Sequence, residues 1–268
     1  MGLLLVRSSA PQPVPQGYAF HIKVNNRLLK GGTLSFFSLQ IPKQNTSHTR
    51  PGRGFETMSI KLYCFGESGN SYKAALTLEL SGLEWKPEFV DFFNGANRSP
   101  EFREINSMGE VPVMVDGDLT LSQSGAIQDY VSTKSSKLGP HSANERREIM
   151  RWILWDNHKL SSMAGMTRFL MNFLPEDKRP AEVIAFNQGR LKGAYTTLNN
   201  ELADKSWLVG NRLTTADIAC CGYLFYPEPF GFNRADWPHI DAWLTRISDT
   251  PGWKAPYDLM PGSPADRA

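Results

Sequence analysis

The chain has 268 residues, which is long enough for two domains of ordinary size and a sizeable core. A hydrophobic fraction of 41% with 21% charged residues is that of a globular protein, and no run approaches the ~18 apolar residues of a membrane-spanning helix. The formal charge of +2 conceals an asymmetry, since residues 1–57 hold seven Lys or Arg against one acidic residue. The remainder has no basic stripe interleaved with aromatic residues, so composition argues against nucleic acid and membranes as partners.

Residues 1–57 are rich in Pro, Gly, Ser and Asn and lack sustained hydrophobic periodicity, which is typical of a disordered leader. The short apolar run near the start is too brief for a signal-peptide core, and Val6 stands where a myristoylation signal needs Ser or Thr. An organelle-targeting presequence is one alternative, because acidic residues are scarce. We favour a stretch upstream of the real start at Met58, or a remnant of cloning.

The first predicted element is a buried strand over residues 60–65, an apolar run bounded by glycines. A helix follows, because leucines recur at helical spacing after Ser71, which suits its N-cap. Ser68 therefore lies where the strand gives way to the helix. A hydroxyl at such a junction is close to the free N–H groups of a helix and could activate a thiol.

A second strand is predicted over residues 85–91, and a turn-rich loop then leads into a short helix over residues 101–105. Residues 111–115 have the pattern of a strand that begins at a proline, and Asp116-Gly117 predicts a hairpin that returns through residues 119–122. The order βαβ, ββ and then α is that of a thioredoxin-like domain, which we place at residues 58–137.

In a thioredoxin-like domain the Val111–Pro112 peptide bond is cis. The backbone of Val111 then turns outward, so that its N–H and C=O can pair with an extended peptide. A further helix is predicted to begin near Gln123 and Ser124.

Residues 142–255 are predicted to form an all-helical domain, followed by a C-terminal tail over 256–268. A long amphipathic stretch begins at Ala143, and Asp156 lies on its apolar stripe. We expect Asp156 to face the cleft between the domains, and the alternative is a core residue bonded to a helix end. Thr214 and Asp217 have the spacing of a capping box, so Asp217 is assigned to structure.

Three motifs follow one another at the spacing of one known family. They are Ser68-Gly69-Asn70 before the first helix, Asn106-Ser-Met-Gly-Glu-Val-Pro112 before the hairpin, and Gln123-Ser124-Gly-Ala-Ile127 at the start of the next helix. With these motifs the chain resembles the glutathione transferase family over roughly residues 59–253. The resemblance is greatest to the serine-type phi, theta and zeta classes and related bacterial enzymes.

The resemblance implies that Ser68 occupies the position of the serine that faces the glutathione sulfur. Its hydroxyl would donate a hydrogen bond to the thiolate, assisted by the positive end of the helix. Asn70 is a rival donor to the same sulfur, and both residues could instead serve only as turn and cap residues. Cysteine-type classes would need a Cys close to Ser68, whereas Cys64 lies too early, within the predicted strand.

The remaining glutathione contacts are implied in the same way. Gln123 and Ser124 open a helix whose free N–H groups suit the γ-glutamyl carboxylate, with an ordinary N-cap as the alternative. Asn97 and Arg98 fall on loop positions, usually His and Lys, that hold the glycine carboxylate in phi-like members. Val111 would pair through its backbone.

Aromatic and Met residues on the long helical stretch and near residue 223 could line a pocket for a small apolar electrophile, and the alternative is that they are core residues. The candidate residues for this second-substrate pocket are Trp155, Asp156, Met163 and Tyr223. We expect a glutathione transferase that acts in detoxification as a homodimer, with glutathione as co-substrate. The alternatives are a glutathione-dependent disulfide or peroxide reductase of the same fold and a non-catalytic binding or assembly module.

The few cysteines and histidines set the remaining expectations. Cys64, Cys220 and Cys221 imply no disulfide framework, so we expect core residues and a reducing, cytoplasmic location. The histidines after residue 58 have no paired ligand spacing, and no metal site is expected.

Overall fold

The computed structural model describes residues 59–262, so the predictions for the leader and for the last six residues lie outside it. Its first half contains a four-stranded sheet and three helices. In chain order these elements are β1 Ile60–Cys64, α1 Gly69–Ser81, β2 Trp85–Phe89, a 3-10 turn Ala96–Arg98, α2 Pro100–Ile105, β3 Val113–Asp116, β4 Leu119–Ser122 and α3 Ser124–Ser135.

The sheet has the order β2-β1-β3-β4, in which β1 is parallel to β2 while β3 and β4 run antiparallel to their neighbours. Alternation along the strands separates two packed faces. Leu62 and Met114 lie in the large core that includes residues of α1 and α3, whereas Val113 packs with Phe102 of α2 in a smaller cluster. This is the predicted thioredoxin-like arrangement.

The junction between β1 and α1 differs from the prediction in one respect. The N-cap of α1 is Ser68, because Ser68 is the last residue with extended backbone angles and its Oγ accepts a hydrogen bond from the N–H of Ser71 at 3.1 Å. Ser71 is therefore a first-turn residue, and the predicted cap was three positions too late.

The hairpin is present, but its turn is shifted by one residue. Asp116 pairs with Leu119, so Gly117 and Asp118 form the two-residue loop, with Gly117 at a φ of +60°. The Val111–Pro112 peptide bond before the hairpin is cis.

The second half is all helical. Its elements are α4 Ala143–Trp155, a π-helical turn Asp156–Ser161, α5 Ser162–Asn172, a 3-10 turn Glu176–Lys178, α6 Ala181–Glu201, α7 Thr215–Cys221, a 3-10 turn Arg234–Asp236, α8 Pro238–Ser248 and α9 Pro256–Leu259. α9 lies within the predicted tail, and the domain limits 58–137 and 142–255 stay predictions. No helix between residues 59 and 262 is long and apolar enough to cross a membrane.

The capping box at the start of α7 is confirmed. The Asp217 carboxylate accepts from the backbone N–H groups of Thr214 and Leu208 and from the indole of Trp243, each at 2.9 Å. Because Asp217 is fully buried and its carboxylate ties three segments together, its role is structural.

The prediction that Asp156 faces a cleft is wrong. Asp156 is fully buried, with Lys73 of α1 at 2.5 Å and the Ser161 hydroxyl at 2.8 Å. The side chain of Lys73, which comes from the first half, pairs with this carboxylate. The helical face that carries Asp156 therefore packs into the core and does not face a cleft.

Candidate functional site

Two adjoining cavities open beside the N-terminus of α1. A polar cavity of about 210 Å³ lies between the start of α3 and the π-helical turn, and an aromatic cavity of about 610 Å³ extends from it along α5. Both are lined by Asn70, Glu110, Val111, Ser161 and Ser162, so the two spaces meet there. A polar ligand could bind in the polar cavity while an apolar ligand binds in the adjoining aromatic cavity.

Ser68 lines the aromatic cavity at the first turn of α1. Its Oγ already accepts the Ser71 N–H bond, so the hydroxyl hydrogen is left to donate. The first turn of α1 contains no acidic residue, and its N–H groups contribute partial positive charge. The residue can therefore cap the helix and donate to an anion at the same time.

Asn70 lies two residues further along and lines both cavities. Its Oδ1 is buried and has no hydrogen-bond partner among the described residues. The Asn70 side-chain amide therefore has unused hydrogen-bonding capacity beside the two cavities. Ser68 and Asn70 are thus brought together, and the choice of sulfur contact between them stays a prediction.

The start of α3 forms the far end of the polar cavity. Gln123 has a φ of +71°, an uncommon value for a residue other than glycine, and its amide nitrogen lies 3.1 Å from Glu110. Ser124 is the first residue of α3, and its buried side chain lines the polar cavity. Val111 lines both cavities. The first N–H groups of a helix of this length have no partners within the helix, so they suit a carboxylate.

The predicted glycine-carboxylate residues lie elsewhere. Asn97 is buried, and its amide donates to the carbonyl oxygen of Gly109 at 2.7 Å, which holds the loop ahead of Val111. Arg98 is exposed. Neither residue lines the two cavities, so the structure does not bring them to the site.

Only one of the four second-substrate candidates lines the aromatic cavity, namely Tyr223. Trp155 lines a separate cavity against α6, Met163 packs against the core, and Asp156 is the buried partner of Lys73. These candidates were chosen by residue type and by position along helical stretches, and helical spacing does not separate core residues from cavity residues.

Sequence analysis missed four phenylalanines of the aromatic wall, namely Phe65, Phe92, Phe93 and Phe173. Phe65 and Phe92 stack at 4.7 Å between ring centroids, and Phe93 lies 5.1 Å from Phe173 of the helical half. An apolar Phe-Phe pair directly after a strand, within a loop otherwise made of turn residues, was the available signal. Arg168 also lines this cavity, and its signal was a single basic residue within the apolar α5.

The pKa values of the nearby ionisable groups favour a hydroxyl, and not a cysteine thiol of the protein, as the group that contacts a ligand. Burial raises the pKa of the Tyr223 hydroxyl to about 12, so it stays protonated. Burial, with a smaller contribution from Glu88, raises the pKa of Cys64 to about 12, and burial raises the pKa values of Cys220 and Cys221 well above their usual range. None of the three cysteines lines either cavity.

No group of three or more metal-ligating side chains occurs between residues 59 and 262.

Two family models match the chain. The glutathione S-transferase N-terminal domain matches residues 58–133, and the glutathione S-transferase C-terminal domain matches residues 162–251. The chain is 29% identical to the disulfide-bond oxidoreductase YfcG of Escherichia coli over 199 residues, which cover 72% of this chain and 91% of that protein. It is also 29% identical to glutathione S-transferase F10 of Arabidopsis thaliana over 196 residues, covering 69% and 90% of the two chains.

A solved glutathione S-transferase structure is also similar to this chain. The crystal structure of a glutathione S-transferase from Xanthobacter autotrophicus Py2 superposes with a TM-score of 0.69 at 28% identity, covering 78% of this chain and 99% of that one. The matched models span more than half of the sequence and both halves of the fold. The chain therefore belongs to the glutathione transferase family.

Proposed function

We propose that the protein is a glutathione transferase that activates the glutathione thiolate for attack on an electrophilic or peroxide second substrate. The observation that supports this best is the position of Ser68 and Asn70 at the first turn of α1, where the polar and aromatic cavities adjoin. A peptide thiol held there would have its polar end in one cavity and its reaction partner in the other.

Glutathione would be held in the polar cavity by contacts at its two ends. The first N–H groups of α3 and the Ser124 hydroxyl would bind the γ-glutamyl carboxylate. The backbone of Val111 would pair with the extended peptide, and Gln123 would add a side-chain amide. The contribution of Asn97 and Arg98 stays a proposal that would require the glycine end to reach beyond the cavity.

Thiolate formation requires a negative sulfur to be stabilised. A thiol has a reference pKa of ~8.5, and each unit of lowering corresponds to ~1.4 kcal/mol. A hydrogen bond to a charged group contributes ~1.5 to 3 kcal/mol, and a helix N-terminus adds ~0.3 to 1 kcal/mol. Ser68 donating to the sulfur at the start of α1 would therefore lower the pKa by about one to three units.

The aromatic cavity supports an apolar second substrate. Its phenylalanines, together with Met166 and Tyr223, offer stacking and apolar contact surfaces. A homodimeric, cytoplasmic enzyme acting in detoxification is the corresponding biological proposal, and it rests on the family alone.

A glutathione-dependent disulfide or peroxide reductase is the second candidate, favoured by the similarity to YfcG, which is named a disulfide-bond oxidoreductase. The discriminating experiment is steady-state turnover on an aryl halide, an epoxide, a hydroperoxide and a mixed disulfide with glutathione. A transferase turns over the aryl halide or the epoxide. Turnover of the mixed disulfide alone would overturn the proposed function in favour of the second candidate.

The role of Ser68 requires a control for its capping bond. Ser142 caps α4, which has 13 residues like α1, and it accepts the N–H of Glu145 at 3.1 Å, the same distance as in the Ser68 cap. Ser142→Ala should lose similar stability, about 1 kcal/mol, and keep its activity. Ser68→Ala should in addition lose roughly 10-fold or more in kcat/KM. If Asn70→Ala alone loses activity, the donor role moves to Asn70.

A further inference from the structure

The turn that carries Ser68 is bound by side chains from the distant helical half. The Tyr226 hydroxyl donates to the carbonyl oxygen of Gly66 at 2.6 Å, and the Arg168 guanidinium donates to the carbonyl oxygen of Glu67 at 2.6 Å. The two carbonyls immediately before Ser68 are thus held by residues that lie 160 and 101 positions along the chain.

Arg168 is itself fixed in place. It is 2% exposed, and its guanidinium donates to the Glu228 carboxylate at 2.6 Å and to the Tyr257 hydroxyl at 2.7 Å. It also lies 4.0 Å above the centre of the Tyr226 ring. Because a guanidinium is planar and its donors point in fixed directions, these contacts leave it one orientation toward Glu67.

The turn needs such support because it begins at a glycine. Gly66 has no side chain to restrict its backbone, and a Cβ there would lie 3.1 Å from the carbonyl oxygens of Pro261 and Gly262. The Gly66 N–H donates to the same Pro261 carbonyl at 2.5 Å. The close approach favours glycine, and the bonds from Tyr226 and Arg168 restrict the backbone freedom that glycine brings.

We propose that Arg168 and Tyr226 are positioning residues for the thiolate donor, and we call the pair the carbonyl clamp. By fixing the carbonyls of Gly66 and Glu67, the clamp sets the peptide planes that lead into Ser68. It thereby directs the Ser68 hydroxyl and the first N–H groups of α1 toward one point in the cavity. This inference rests on the proposed function, since it assigns the clamp a part in thiolate formation.

If the clamp positions Ser68, its loss should change the pKa of bound glutathione as well as the stability of the protein. A purely structural contact between the halves would change the free energy of unfolding and leave the bound thiol unaffected. A positioning contact would also change the pKa of glutathione bound to the folded protein. The affinity for glutathione would change little, because the α3 contacts that hold its carboxylate are separate from the turn.

The test is an ultraviolet titration of the thiolate of bound glutathione in the full chain. Tyr226→Phe keeps the ring beneath Arg168 and removes only the bond to Gly66. Tyr72→Phe is the matched control, because its buried hydroxyl donates to the Lys254 carbonyl at 2.8 Å, outside the turn. We expect Tyr226→Phe to leave about 3- to 10-fold less thiolate below the thiol pKa. Tyr72→Phe should titrate as wild type.

A second variant tests the same proposal if the Tyr226→Phe protein does not fold. Arg168→Lys retains the charge but replaces the planar fork by a single ammonium, so it should also raise the bound-thiol pKa. If the folded Tyr226→Phe and Arg168→Lys proteins both titrate as wild type, the clamp is overturned and the proposed function stands. If the wild-type protein leaves the glutathione thiol unshifted, the proposed function is overturned, and the role of the clamp falls with it.

Discussion

The buried ion pair between Lys73 and Asp156 gives a stability prediction whose size follows from its burial. Both side chains are 0% exposed, and Nζ lies 2.5 Å from Oδ2. The stem of Lys73 packs closely against Gly222, where a Cβ would lie 2.6 Å from its Cγ. Replacing Asp156 by Leu would leave an uncompensated ammonium in the core, at a cost of about 3 to 5 kcal/mol.

The corresponding fall in melting temperature is roughly 6 to 20 °C for a folded unit of this size. Urea denaturation of the full chain measures the loss in the free energy of unfolding directly at 25 °C. The double variant Lys73→Met with Asp156→Leu removes both charges and should recover most of the loss. Glu148→Ala is the control, because its pair with Arg151 at 2.7 Å is half exposed and should contribute about 0.5 kcal/mol or less.

Two results would show that the burial of the Lys73–Asp156 charges does not set the size of this loss. One is an Asp156→Leu protein within about 1 kcal/mol of wild type, since a buried charge without its partner cannot be that inexpensive. The other is a double variant no more stable than the single one, which would mean that packing around Asp156 matters more than its charge.

Three further predictions concern single side chains. The Arg212 guanidinium lowers the pKa of Glu145 from 4.5 to about 2, so the stability it gives is complete above about pH 5 and is lost as the pH falls toward 2. The unfolding curves of wild type and Glu145→Gln should therefore converge in acid. Tyr195→Phe should raise the free energy of unfolding by about 1 kcal/mol, because the buried hydroxyl has no partner among the described residues. Gly69→Ala should cost about 1 to 3 kcal/mol, measured by urea denaturation, since its Cβ would lie 2.6 Å from the ring of Tyr223.

Each of these has a clear contrary outcome. A difference between wild type and Glu145→Gln that stays constant down to about pH 2 would contradict the pKa argument. A destabilised Tyr195→Phe protein would mean that its hydroxyl makes a bond. An Ala at position 69 without loss of stability would mean that the Tyr223 ring can move aside.

The local features of the fold could be predicted from the sequence because their causes are local. The hairpin, the capping box at Thr214 and the strand-to-helix junction at Ser68 each depend on residues within a few positions of one another. The register errors at Ser71 and in the hairpin turn were of one to three residues. Such errors arise because several neighbouring residues satisfy the same capping or turn preference.

The features that could not be predicted depend on partners far away in the chain. The place of Asp156 is decided by Lys73, 83 residues earlier, and an apolar stripe looks the same whether it faces a core or a cleft. The bonds from Arg168 and Tyr226 to the Ser68 turn leave no periodic trace. Asn97 was assigned by alignment of a loop, where the amide instead supports the backbone at Gly109.

The pKa of glutathione bound to the wild-type protein shows whether the first turn of α1 stabilises the glutathione thiolate. Thiolate absorbance followed against pH, with free glutathione as the reference, gives that value. We expect a bound-thiol pKa lower than the free value by at least about one unit, with most of the shift lost in Ser68→Ala. An identical titration of bound and free glutathione, or no binding at all, would contradict it.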